Sequence, residues 1–550
     1  VELKMKKLSL ALTFAAMFHF LSKSESFIGR FAMKNKSCRL GMSSMTSTKR
    51  KRGKSNKEMD KVLEKYEPVI GIEIHVQLLT NSKAYCSCKS LYAPNEPNSN
   101  VCPVCMGEPG ALPVPNRKVI ELAAKTALAL NCKISDSLKW DRKNYFYPDT
   151  PKNYQITQYD NPIGSNGTVQ LPFGGKVGIQ RLHMEEDSAK MNHQNSESSS
   201  GSLSGSLYSL IDFNRAGIPL AEIVSEPDIT SGLSAAEYGK ELQRILRYIG
   251  ASDGNMAEGS MRLDVNVSIR EKGSNELRNK VELKNLNSFR AVQESTDHEI
   301  IRQAKLYEEG QRVRQETRLW DDKAKVSKIM RVKEGESDYR YFPEPDIPAM
   351  KLPKEVVKKW KSELSELPSE KRSRYKAEFG LSDADIEILT DDKDLSSYFE
   401  STVEFGSDPK EVSKWLLGDV SGYINSNRIQ VKDLRLTPER LSELIVLIKS
   451  KKISGKIAKE LLPELLNGSF DGTVAELVRE KGMELITDEK VIETFAREVI
   501  GKNSNKVSEY RSGKTKLLGF FAGQTLAVSN NRADPEAVQK IVKLLLDNEN

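Results

Sequence analysis

The chain has 550 residues, of which 38% are hydrophobic and 7% aromatic, a composition that supports folded cores and does not fit a membrane protein. Residues 1–57 hold fourteen Lys or Arg and two acids, a net charge of +12, so the +7 of the whole chain leaves −5 for the remainder. Bulk charge therefore excludes a strongly basic nucleic-acid-binding protein beyond residue 57, and any RNA contact must come from local patches.

The first 57 residues have the composition of a targeting presequence. The apolar run Leu8–Leu21 follows three lysines and has the length of a signal-peptide core. Residues 27–57 are basic, rich in Ser and free of acids, which is typical of a transit peptide. The combination resembles the two-part presequences of plastids derived from algae, with a mitochondrial presequence as the alternative. We therefore predict import into an organelle, either the plastid stroma or the mitochondrial matrix.

The first folded element is predicted at Val69–Leu78. Apolar side chains alternate there with Glu73, His75 and Gln77 in a period of two. This pattern predicts a half-buried strand with one polar face, on which Glu73 and His75 lie together.

Four of the six cysteines follow this strand in two close pairs, Cys86 with Cys88 and Cys102 with Cys105. Two such pairs can place four thiolates around one tetrahedral Zn²⁺ with no open ligand position, which predicts a structural zinc loop. Two disulfides or free thiols are the alternatives. A reducing stroma or matrix disfavours the disulfides.

Strands and helices are mixed over the next part of the chain. A helix is predicted at 117–130, strands at Val169–Gln180, Leu207–Phe213 and Met261–Arg270, and a further helix at Ala235–Ile249. The Ser- and Gly-rich segment Asn195–Ser206 is predicted to be a flexible loop. Two strands with consistently polar outer faces suggest an open sheet whose exposed side lines a site.

From about Pro353 the pattern changes to amphipathic helices. Asp408-Pro409, Thr437-Pro438 and Asp534-Pro535 each combine a capping residue with a proline at the first helical position. The fold class is therefore α+β, with a mixed region at 66–352, a helical linker at 353–400 and an all-α domain at 401–550.

Acidic residues recur on short motifs of the mixed region. The set comprises Glu73 with His75, the run Glu185-Glu186-Asp187, Glu222 with Glu226, and Asp264 with Asn266. Any one of them alone is more often a solvated surface acid, but their recurrence on polar strand faces favours a Mg²⁺ site. No G-x-S-x-G sequence follows a predicted strand, as the elbow of a nucleophilic hydrolase does, so the residues favour metal-assisted over covalent chemistry.

Eight long motifs occur in order, within a match that covers nearly everything from about residue 66 to the C-terminus. They are Gly71–Leu78, Val101–Val114, Asp141–Asp149, Tyr154–Ile163, Arg181–Lys190, Asn214–Asp228, Val281–Phe289 and Asp338–Asp346. Together they resemble the B subunit of the glutamyl-tRNA(Gln)/aspartyl-tRNA(Asn) amidotransferase, the GatB family. Relative to that family, Asn195–Ser206 looks inserted.

The resemblance implies a heterotrimer with two partners, an amidase (the A subunit) and a small C subunit. The amidase would release ammonia from glutamine. This chain would bind the misacylated tRNA and use ATP and Mg²⁺ to phosphorylate the side-chain carboxylate of the attached amino acid. Ammonia arriving through a tunnel would then displace the phosphate. The implied architecture is a catalytic cradle domain with a mixed sheet and a zinc loop, followed by an all-α tRNA-binding region.

The family resemblance also implies roles for individual residues. The implied catalytic residues are Glu73, His75, Glu186 and Glu222, of which His75, Glu186 and Glu222 would hold Mg²⁺. The predicted nucleotide contacts are Glu73, Arg262, Asp264 and Lys284. The cysteines of the zinc loop, Cys86, Cys88, Cys102 and Cys105, are present in some family members and absent in others. Arg511, Lys514 and Lys516 are predicted to contact tRNA, with ordinary solvated helix ends as the alternative.

A second hypothesis is a zinc-bearing tRNA-binding scaffold that keeps the fold and has lost the phosphorylating activity. Loss of the acidic set would favour it. All four of the acidic and imidazole positions are filled, which favours the enzyme.

Overall fold

The computed structural model describes residues 54–90, 96–195, 206–332 and 339–548. The predicted presequence lies outside the described residues, apart from its last four positions, which begin a helix. The segment predicted as a flexible loop also lies outside them over residues 196–205.

Strands and helices alternate irregularly in the first region of the chain. The elements are α1 (Lys54–Lys65), β1 (Tyr66–Gln77), α2 (Pro103–Met106), α3 (Arg117–Ala129), β2 (Lys133–Ile134), β3 (Ser137–Leu138), β4 (Asp141–Asn144), β5 (Tyr154–Thr157), β6 (Gly164–Gln170), β7 (Lys176–Glu186), β8 (Lys190–Asn195), β9 (Ser206–Asp212), a 3₁₀ turn (Phe213–Arg215), β10 (Pro219–Ser225), α4 (Gly232–Tyr248), β11 (Met261–Glu271), β12 (Val281–Lys284), α5 (Phe289–Glu308), β13 (Glu316–Asp321), β14 (Val326–Val332), β15 (Phe342–Pro343) and β16 (Met350–Lys351).

Nine of these strands form one mixed sheet in the order β14-β13-β12-β11-β1-β10-β7-β6-β2. Neighbouring strands are antiparallel except β12 and β13, which are parallel. β1 lies at the centre and pairs with β11 on one side and β10 on the other. Smaller sheets are formed by β15-β4-β5, by β16-β3 and by β8-β9.

The predicted alternation of β1 is confirmed. Its apolar side chains are almost fully buried in one core with residues of α3, α4 and α5; they are Ile70, Ile72, Ile74 and Val76. Glu73 and His75 are only partly buried and belong to the other face. Helices therefore cover one face of the sheet near β1, and the polar face remains available for a site.

Helices alone make up the rest of the described chain. They are α6 (Lys354–Ser362), α7 (Pro368–Phe379), α8 (Asp383–Leu389), α9 (Lys393–Glu404), α10 (Pro409–Trp415), a π-helical turn (Leu416–Val420), α11 (Ser421–Asn427), a 3₁₀ turn (Val431–Asp433), α12 (Pro438–Lys449), α13 (Gly455–Asn467), α14 (Val474–Glu480), α15 (Glu489–Lys502), α16 (Ser504–Arg511), α17 (Leu517–Val528) and α18 (Pro535–Asp547).

Three helix starts were predicted from capping residues, and all three are confirmed. The side chains of Asp408, Thr437 and Asp534 accept hydrogen bonds from backbone amides in the first turns of α10, α12 and α18. Each helix has a proline at its first position, where the missing N–H costs no helical hydrogen bond.

The helical region contains two hydrophobic cores, one with buried residues from Tyr375 to Val478 and one from Ile492 to Leu546. The first core extends across residue 400, where the linker was predicted to end. The limits 66–352, 353–400 and 401–550 remain predictions.

One strand prediction is wrong. Val169–Gln180 was predicted as a single strand, but β6 ends at Gln170 and β7 begins at Lys176. Gly174 and Gly175 between them have φ values of 94° and 85°, a left-handed backbone that glycine adopts easily and that turns the chain back. Among the described residues, the helices are too short or too polar to cross a membrane.

Candidate active site and cysteine cluster

The polar face of the central strands brings together side chains that are distant in the sequence. His75 on β1 lies opposite Glu222 on β10, and Glu222 lies opposite His183 on β7. Glu185 falls on the same face as His183 because side chains alternate along a strand. Three strands therefore place two imidazoles and two carboxylates together, and we call these four residues the His–carboxylate cluster.

The members of the His–carboxylate cluster are in direct contact. His75 Nε2 lies 3.3 Å from Glu222 Oε2 and 3.8 Å from Glu185 Oε2. His183 Nε2 lies 3.3 Å from Glu222 Oε2 and 3.3 Å from Glu185 Oε1. Lys143 on β4 adds a cation, with Nζ 3.7 Å from Glu185 Oε1. The cluster is thus a compact set of alternating charges on the polar face of the central strands.

The charge states follow from this geometry. Burial disfavours the charged form of His183, but Glu222 and Glu185 outweigh it and raise the pKa to about 9. Burial likewise opposes the charge on His75, and the hydrogen bond to Glu222 raises its pKa above the usual value. Despite burial, Lys143 helps to lower the pKa of Glu185 to about 2. Despite burial, the two imidazoles hold the pKa of Glu222 well below its usual range. Both carboxylates are therefore ionised at neutral pH.

His75, Glu185 and Glu222 have the spacing that one divalent cation requires. Their ligand atoms lie within 4.8 Å of one another. Atoms about 2.1 Å from an octahedral Mg²⁺ stand roughly 3 Å apart when adjacent and about 4.2 Å apart when opposite. The distances of 3.3 and 3.8 Å from His75 Nε2 fall within this range. These residues fit a Mg²⁺ ion.

The prediction grouped Glu186 with His75 and Glu222, and here the structure differs. Glu186 follows Glu185 on β7, and its Oε1 accepts a hydrogen bond from the Ile156 amide at 3.0 Å and meets Lys152 Nζ. With Lys152 it lines a cavity of about 20 Å³ that also touches Gly217. Glu185 takes the place predicted for Glu186 because the phase of β7 turns Glu185, with His183, toward β1.

Glu73 lies two residues before His75 on the same face, opposite Asp264 of β11. Asn266 Nδ2 donates to Glu73 Oε1 at 3.0 Å. Lys284, from β12, pairs with Asp264 and lies 3.0 Å from Glu282 Oε1. The predicted nucleotide contacts Glu73, Asp264 and Lys284 are thus neighbours on one surface.

Arg262 lies opposite His75 on β11 and pairs with Asp187, just beyond the end of β7. Asp187 also accepts from Gln77 Nε2 at 3.0 Å and lies 3.6 Å from Arg215 Nε. Burial disfavours the ionised form of Asp187, but the two arginines hold its pKa below the usual value. This buried network ties β1, β7 and β11 together at one edge of the cluster.

A basic cleft of about 330 Å³ continues the polar face beyond Glu73. Gly71 forms part of its floor, and a Cβ built on this glycine would come no closer than 3.8 Å to any atom, so a ligand can approach the backbone there. Its cations are Arg181, Arg278 and Lys280, against Glu73 as the lining carboxylate. This excess of positive charge suits a phosphate-bearing ligand.

The four predicted zinc cysteines converge. The Sγ atoms of Cys86, Cys88, Cys102 and Cys105 lie within 4.8 Å of one another. Thiolates about 2.3 Å from a tetrahedral Zn²⁺ would stand roughly 3.8 Å apart, so this donor set fits zinc. A hydrogen bond from the Cys86 thiol lowers the pKa of Cys105 to about 4, with help from Lys83, whose Nζ lies 3.8 Å away.

The cysteine loop is joined by hydrogen bonds to the turn that leads into β10. The Asn100 amide donates to Asn214 Oδ1 at 2.7 Å, and Asn214 Nδ2 donates to the Glu96 carbonyl at 2.7 Å. The Phe213 amide donates to Asn98 Oδ1 at 2.7 Å. The 3₁₀ turn before β10, the strand that carries Glu222, is therefore held from the side by the cysteine loop.

The predicted tRNA contacts lie on α16 and on the loop that follows it. Arg511 donates to the carbonyls of Leu546 and Asn548 at 3.2 and 2.9 Å, which caps the end of α18. Lys514 pairs with Glu509 at 3.1 Å. Lys516 immediately precedes α17 and is exposed. Arg511 thus has a structural role, and Lys516 is the most available of the three.

The fold and the site together define a class of protein. A mixed α+β domain carries ionised carboxylates and imidazoles at metal-binding distance, a basic cleft beside them and a closed set of four cysteines. An all-helical region follows. Buried ionisable groups gathered beside a cleft in this way are typical of an enzyme active site.

Comparison with known proteins identifies the family. Residues 68–358 match the GatB/GatE catalytic domain, and residues 397–546 match the GatB domain. The chain is 50% identical over 485 residues to the B subunit of the aspartyl/glutamyl-tRNA(Asn/Gln) amidotransferase of Acaryochloris marina, covering 87% of this chain and 97% of that protein. It is 48% identical over 491 residues to the corresponding protein of Trichodesmium erythraeum, covering 88% and 98%. The chain belongs to the family of amidotransferase B subunits, which confirms the resemblance and the fold class.

Sequence reasoning included Glu185 among the recurring acids but assigned the metal role to Glu186, and it did not single out His183 or Lys143. A signal for His183 and Glu185 was present, because Leu182 and Met184 are apolar and alternate with them along β7. Lys143 could not be found in this way, since its approach to Glu185 depends on how the small sheet packs on the large one.

Proposed function

We propose that this chain is the B subunit of a glutamine-dependent amidotransferase that converts Glu-tRNA(Gln) to Gln-tRNA(Gln), a carbon–nitrogen ligase. The names of its relatives mention aspartyl-tRNA(Asn) as well as glutamyl-tRNA(Gln), so both aminoacyl-tRNAs are candidate substrates. The observation that carries the proposal is the His–carboxylate cluster on the polar face of a sheet that matches the family's catalytic domain.

The proposed chemistry solves a definite problem. A carboxylate resists attack by ammonia because its negative charge repels the nucleophile and because oxide is not a viable leaving group. Transfer of the γ-phosphoryl group of ATP to the carboxylate gives an acyl phosphate and releases ADP. Ammonia then forms the C–N bond, phosphate leaves with the C–O bond electrons, and the nitrogen loses one proton to give the amide. Water must be excluded because it would hydrolyse the acyl phosphate.

His75, Glu185 and Glu222 are the residues we propose to hold Mg²⁺. Bound there, the ion would neutralise charge on the phosphoryl group during transfer. Lys143, 3.7 Å from Glu185, would keep the carboxylate ionised and add positive charge on the same side. His183, the fourth residue of the cluster, would hold Glu222 and Glu185 in place, because its Nε2 lies 3.3 Å from a carboxylate oxygen of each.

The nucleotide would lie along β1 with its phosphates toward Glu73. The basic cleft supports this placement because its cations Arg181, Arg278 and Lys280 adjoin Glu73. Of the other predicted contacts, Asp264 lies opposite Glu73 on β11, and Lys284 lies on β12, the next strand on that side. Arg262 is engaged with Asp187 and would act by holding the strands rather than the nucleotide.

Glu186 and Lys152 would serve the ammonia side of the reaction. They line a cavity of about 20 Å³, a volume that suits a single small molecule such as ammonia or water. The cavity also borders Asp187, which follows the cluster residue Glu185 by two positions. A buried carboxylate paired with a lysine can accept hydrogen bonds from ammonia without being exposed to bulk water.

A structural Zn²⁺ held by Cys86, Cys88, Cys102 and Cys105 completes the proposed site. The closed set of four thiols leaves no ligand position for substrate, so the metal would stabilise the loop rather than react. Hydrogen bonds join this loop to the turn before β10. An ordered loop would therefore help to hold Glu222, which β10 carries, in position.

Family membership supports assembly with an amidase (the A subunit) and a small C subunit, and tRNA binding by the helical region. The exposed Lys516 is the strongest of the three predicted tRNA contacts, with Lys514 beside it. We further propose a plastid location, because residues 27–57 have a transit-peptide composition and the relatives are cyanobacterial. Residues 1–60 fused to a fluorescent protein would distinguish plastids from mitochondria by imaging.

The decisive experiment assembles the chain with the amidase and the small C subunit and measures amidation of Glu-tRNA(Gln) with ATP, Mg²⁺ and glutamine. Glu222→Gln should abolish amidation while tRNA binding persists. Glu226→Gln, on the same chain segment but outside the His–carboxylate cluster, is the matched control and should remain active. A wild-type complex that binds tRNA without amidating it would favour the non-catalytic scaffold.

A further inference from the structure

Four tyrosines form a continuous row next to the His–carboxylate cluster. Tyr159 and Tyr341 are stacked, with ring centroids 4.1 Å apart and 13° between their planes. Tyr339 lies edge-on to Tyr341 at 6.0 Å and to Tyr145 at 6.4 Å. We call these four residues the tyrosine row.

The small sheet β15-β4-β5 holds the tyrosine row in place. Tyr145 follows β4, Tyr159 follows β5, and Tyr339 and Tyr341 precede β15. The Asn144 amide donates to the Tyr339 carbonyl at 2.9 Å, and the Tyr159 amide donates to an Asp141 carboxylate oxygen at 2.9 Å. The rings are therefore mounted on fixed backbone, which lowers the entropy lost when a ligand binds.

The row is partly open to solvent although it is aromatic. Tyr159 is 61% exposed, and Tyr145, Tyr339 and Tyr341 are half-buried. The neighbouring Phe146 and Tyr147 of the loop after β4 are 76% and 43% exposed. Large apolar surface left outside the core in this concentration marks a binding surface more often than chance exposure. Its rings are not needed to complete a core.

Lys143 connects the row to the reaction centre. Its Nζ lies 5.1 Å from the Tyr339 ring centroid and 3.7 Å from Glu185 Oε1. The distance from the row to the cluster is thus about the length of one nucleotide. A ligand that stacks on the row can therefore place an attached group at the cluster. Charge and aromatic surface also alternate here, as they do in proteins that bind single-stranded nucleic acid.

We propose that the tyrosine row stacks the unpaired bases at the 3′ end of the aminoacyl-tRNA and so delivers the attached amino acid to the His–carboxylate cluster. This inference rests on the proposed function. Every base has a π face, so aromatic rings hold single strands without requiring a sequence. The row joins four rings by three ring-to-ring contacts, which is more aromatic surface than the single adenine of ATP would cover. The phosphates of ATP have a separate place in the basic cleft beyond Glu73.

The test compares full-length tRNA with tRNA that lacks its last three nucleotides, using the assembled complex. Truncation should weaken binding to the wild type. Tyr159→Ala should weaken binding of full-length tRNA by roughly 5- to 150-fold, the range expected for loss of one base–aromatic stack. It should leave the affinity for truncated tRNA and the KM for ATP unchanged. Tyr159→Phe keeps the ring and should bind as the wild type does, which guards against misfolding.

Phe173→Ala is the matched control. Phe173 is 78% exposed, close to the 76% of Phe146, but it lies in the turn before β7. About nine residues of β7 separate this turn from Glu185, roughly 30 Å at about 3.3 Å per residue. This variant should bind both tRNAs like the wild type.

Three results would overturn the inference. Tyr159→Ala could leave full-length tRNA binding unchanged, could weaken both tRNAs equally, or could raise the KM for ATP alone, which would assign the row to adenine. Amidation by the wild-type complex tests the proposed function separately. A complex that amidates Glu-tRNA(Gln) but gives any of these three results retains its function and loses the tyrosine row as the base-stacking site.

Discussion

The link between the cysteine loop and the strand that carries Glu222 can be cut at one buried residue. Asn214 is 2% exposed, and its side chain exchanges two hydrogen bonds of 2.7 Å with the backbone of residues 96 and 100. Asn214→Ala removes both bonds and leaves the Asn100 N–H and the Glu96 carbonyl without these partners. Each lost bond should cost about 1–1.5 kcal/mol, so the local loss is about 2–3 kcal/mol.

This loss should appear as local opening and not only as a lower Tm. An opening free energy smaller by about 2–3 kcal/mol raises amide hydrogen exchange by roughly 30- to 150-fold in segments that exchange by local unfolding. We expect faster exchange over residues 96–105, measured by mass spectrometry, together with faster loss of zinc to a chelator. Amidation should fall as well, because the 3₁₀ turn before β10 loses a support.

Asn161→Ala is the matched control for this prediction. The Asn161 side chain also forms hydrogen bonds, but with two serines: Nδ2 donates to the Ser137 carbonyl at 2.8 Å and to Ser137 Oγ at 3.3 Å, and Oδ1 accepts from Ser135 Oγ at 2.9 Å. Its loss should increase exchange around those serines and leave residues 96–105 unchanged. If Asn214→Ala left exchange of residues 96–105 at the wild-type rate, the proposed support of β10 by the cysteine loop would be refuted.

Three further predictions concern metal, pH and tRNA. Cys105→Ser should remove the single bound zinc found by metal analysis, whereas Cys132→Ser, which changes a buried cysteine outside the cluster, should retain it; zinc in both variants would contradict the site. Burial lowers the pKa of His298, so the imidazole is protonated less readily in the folded protein than in the unfolded chain. The contribution of neutral His298 to the free energy of unfolding is therefore complete above pH 6.5 and is lost as the pH falls below 6.5. His298→Phe should therefore lose less Tm than the wild type between about pH 7.5 and 5.5, and an equal loss would refute this. Lys516→Ala should weaken tRNA binding and reduce the salt slope by about one ion without lowering Tm. Arg511→Ala should lower Tm because it uncaps α18. If Lys516→Ala lowered Tm and Arg511→Ala instead weakened tRNA binding, the structural and tRNA-binding roles of the two residues would be the reverse of those proposed.

Local patterns were enough to predict much of the fold. The alternation of β1 gave the correct buried face because one side of the strand packs on helices and the other does not. The starts of α10, α12 and α18 were predictable because a capping side chain and a proline act within four residues of each other. Strand alternation and helix caps depend on residues that are close together in the chain. They can therefore be predicted without knowing the tertiary structure.

The composition of the site could be predicted only in part, because it depends on strand register. His75 meets Glu222 only through the pairing of β1 with β10, and Glu222 meets His183 only through the pairing of β10 with β7. A shift of one residue in β7 would replace Glu185 with Glu186. The sequence places two glutamates in succession, and only the alternation with Leu182 and Met184 selects between them.

The cysteine loop illustrates how a metal site can be present in some members of a family and absent in others. The bonds from Asn98 and Asn100 to the turn before β10 involve no cysteine. They can therefore hold the turn in a chain without zinc. The other end of the loop is also hydrogen-bonded, since the Lys83 amide donates to the Cys88 carbonyl at 2.9 Å. Four thiolates around one ion would tie these two ends of the loop to each other. Zinc would then stabilise a support that hydrogen bonds already define, so its removal should weaken the site gradually, whereas loss of Glu222 should abolish its chemistry.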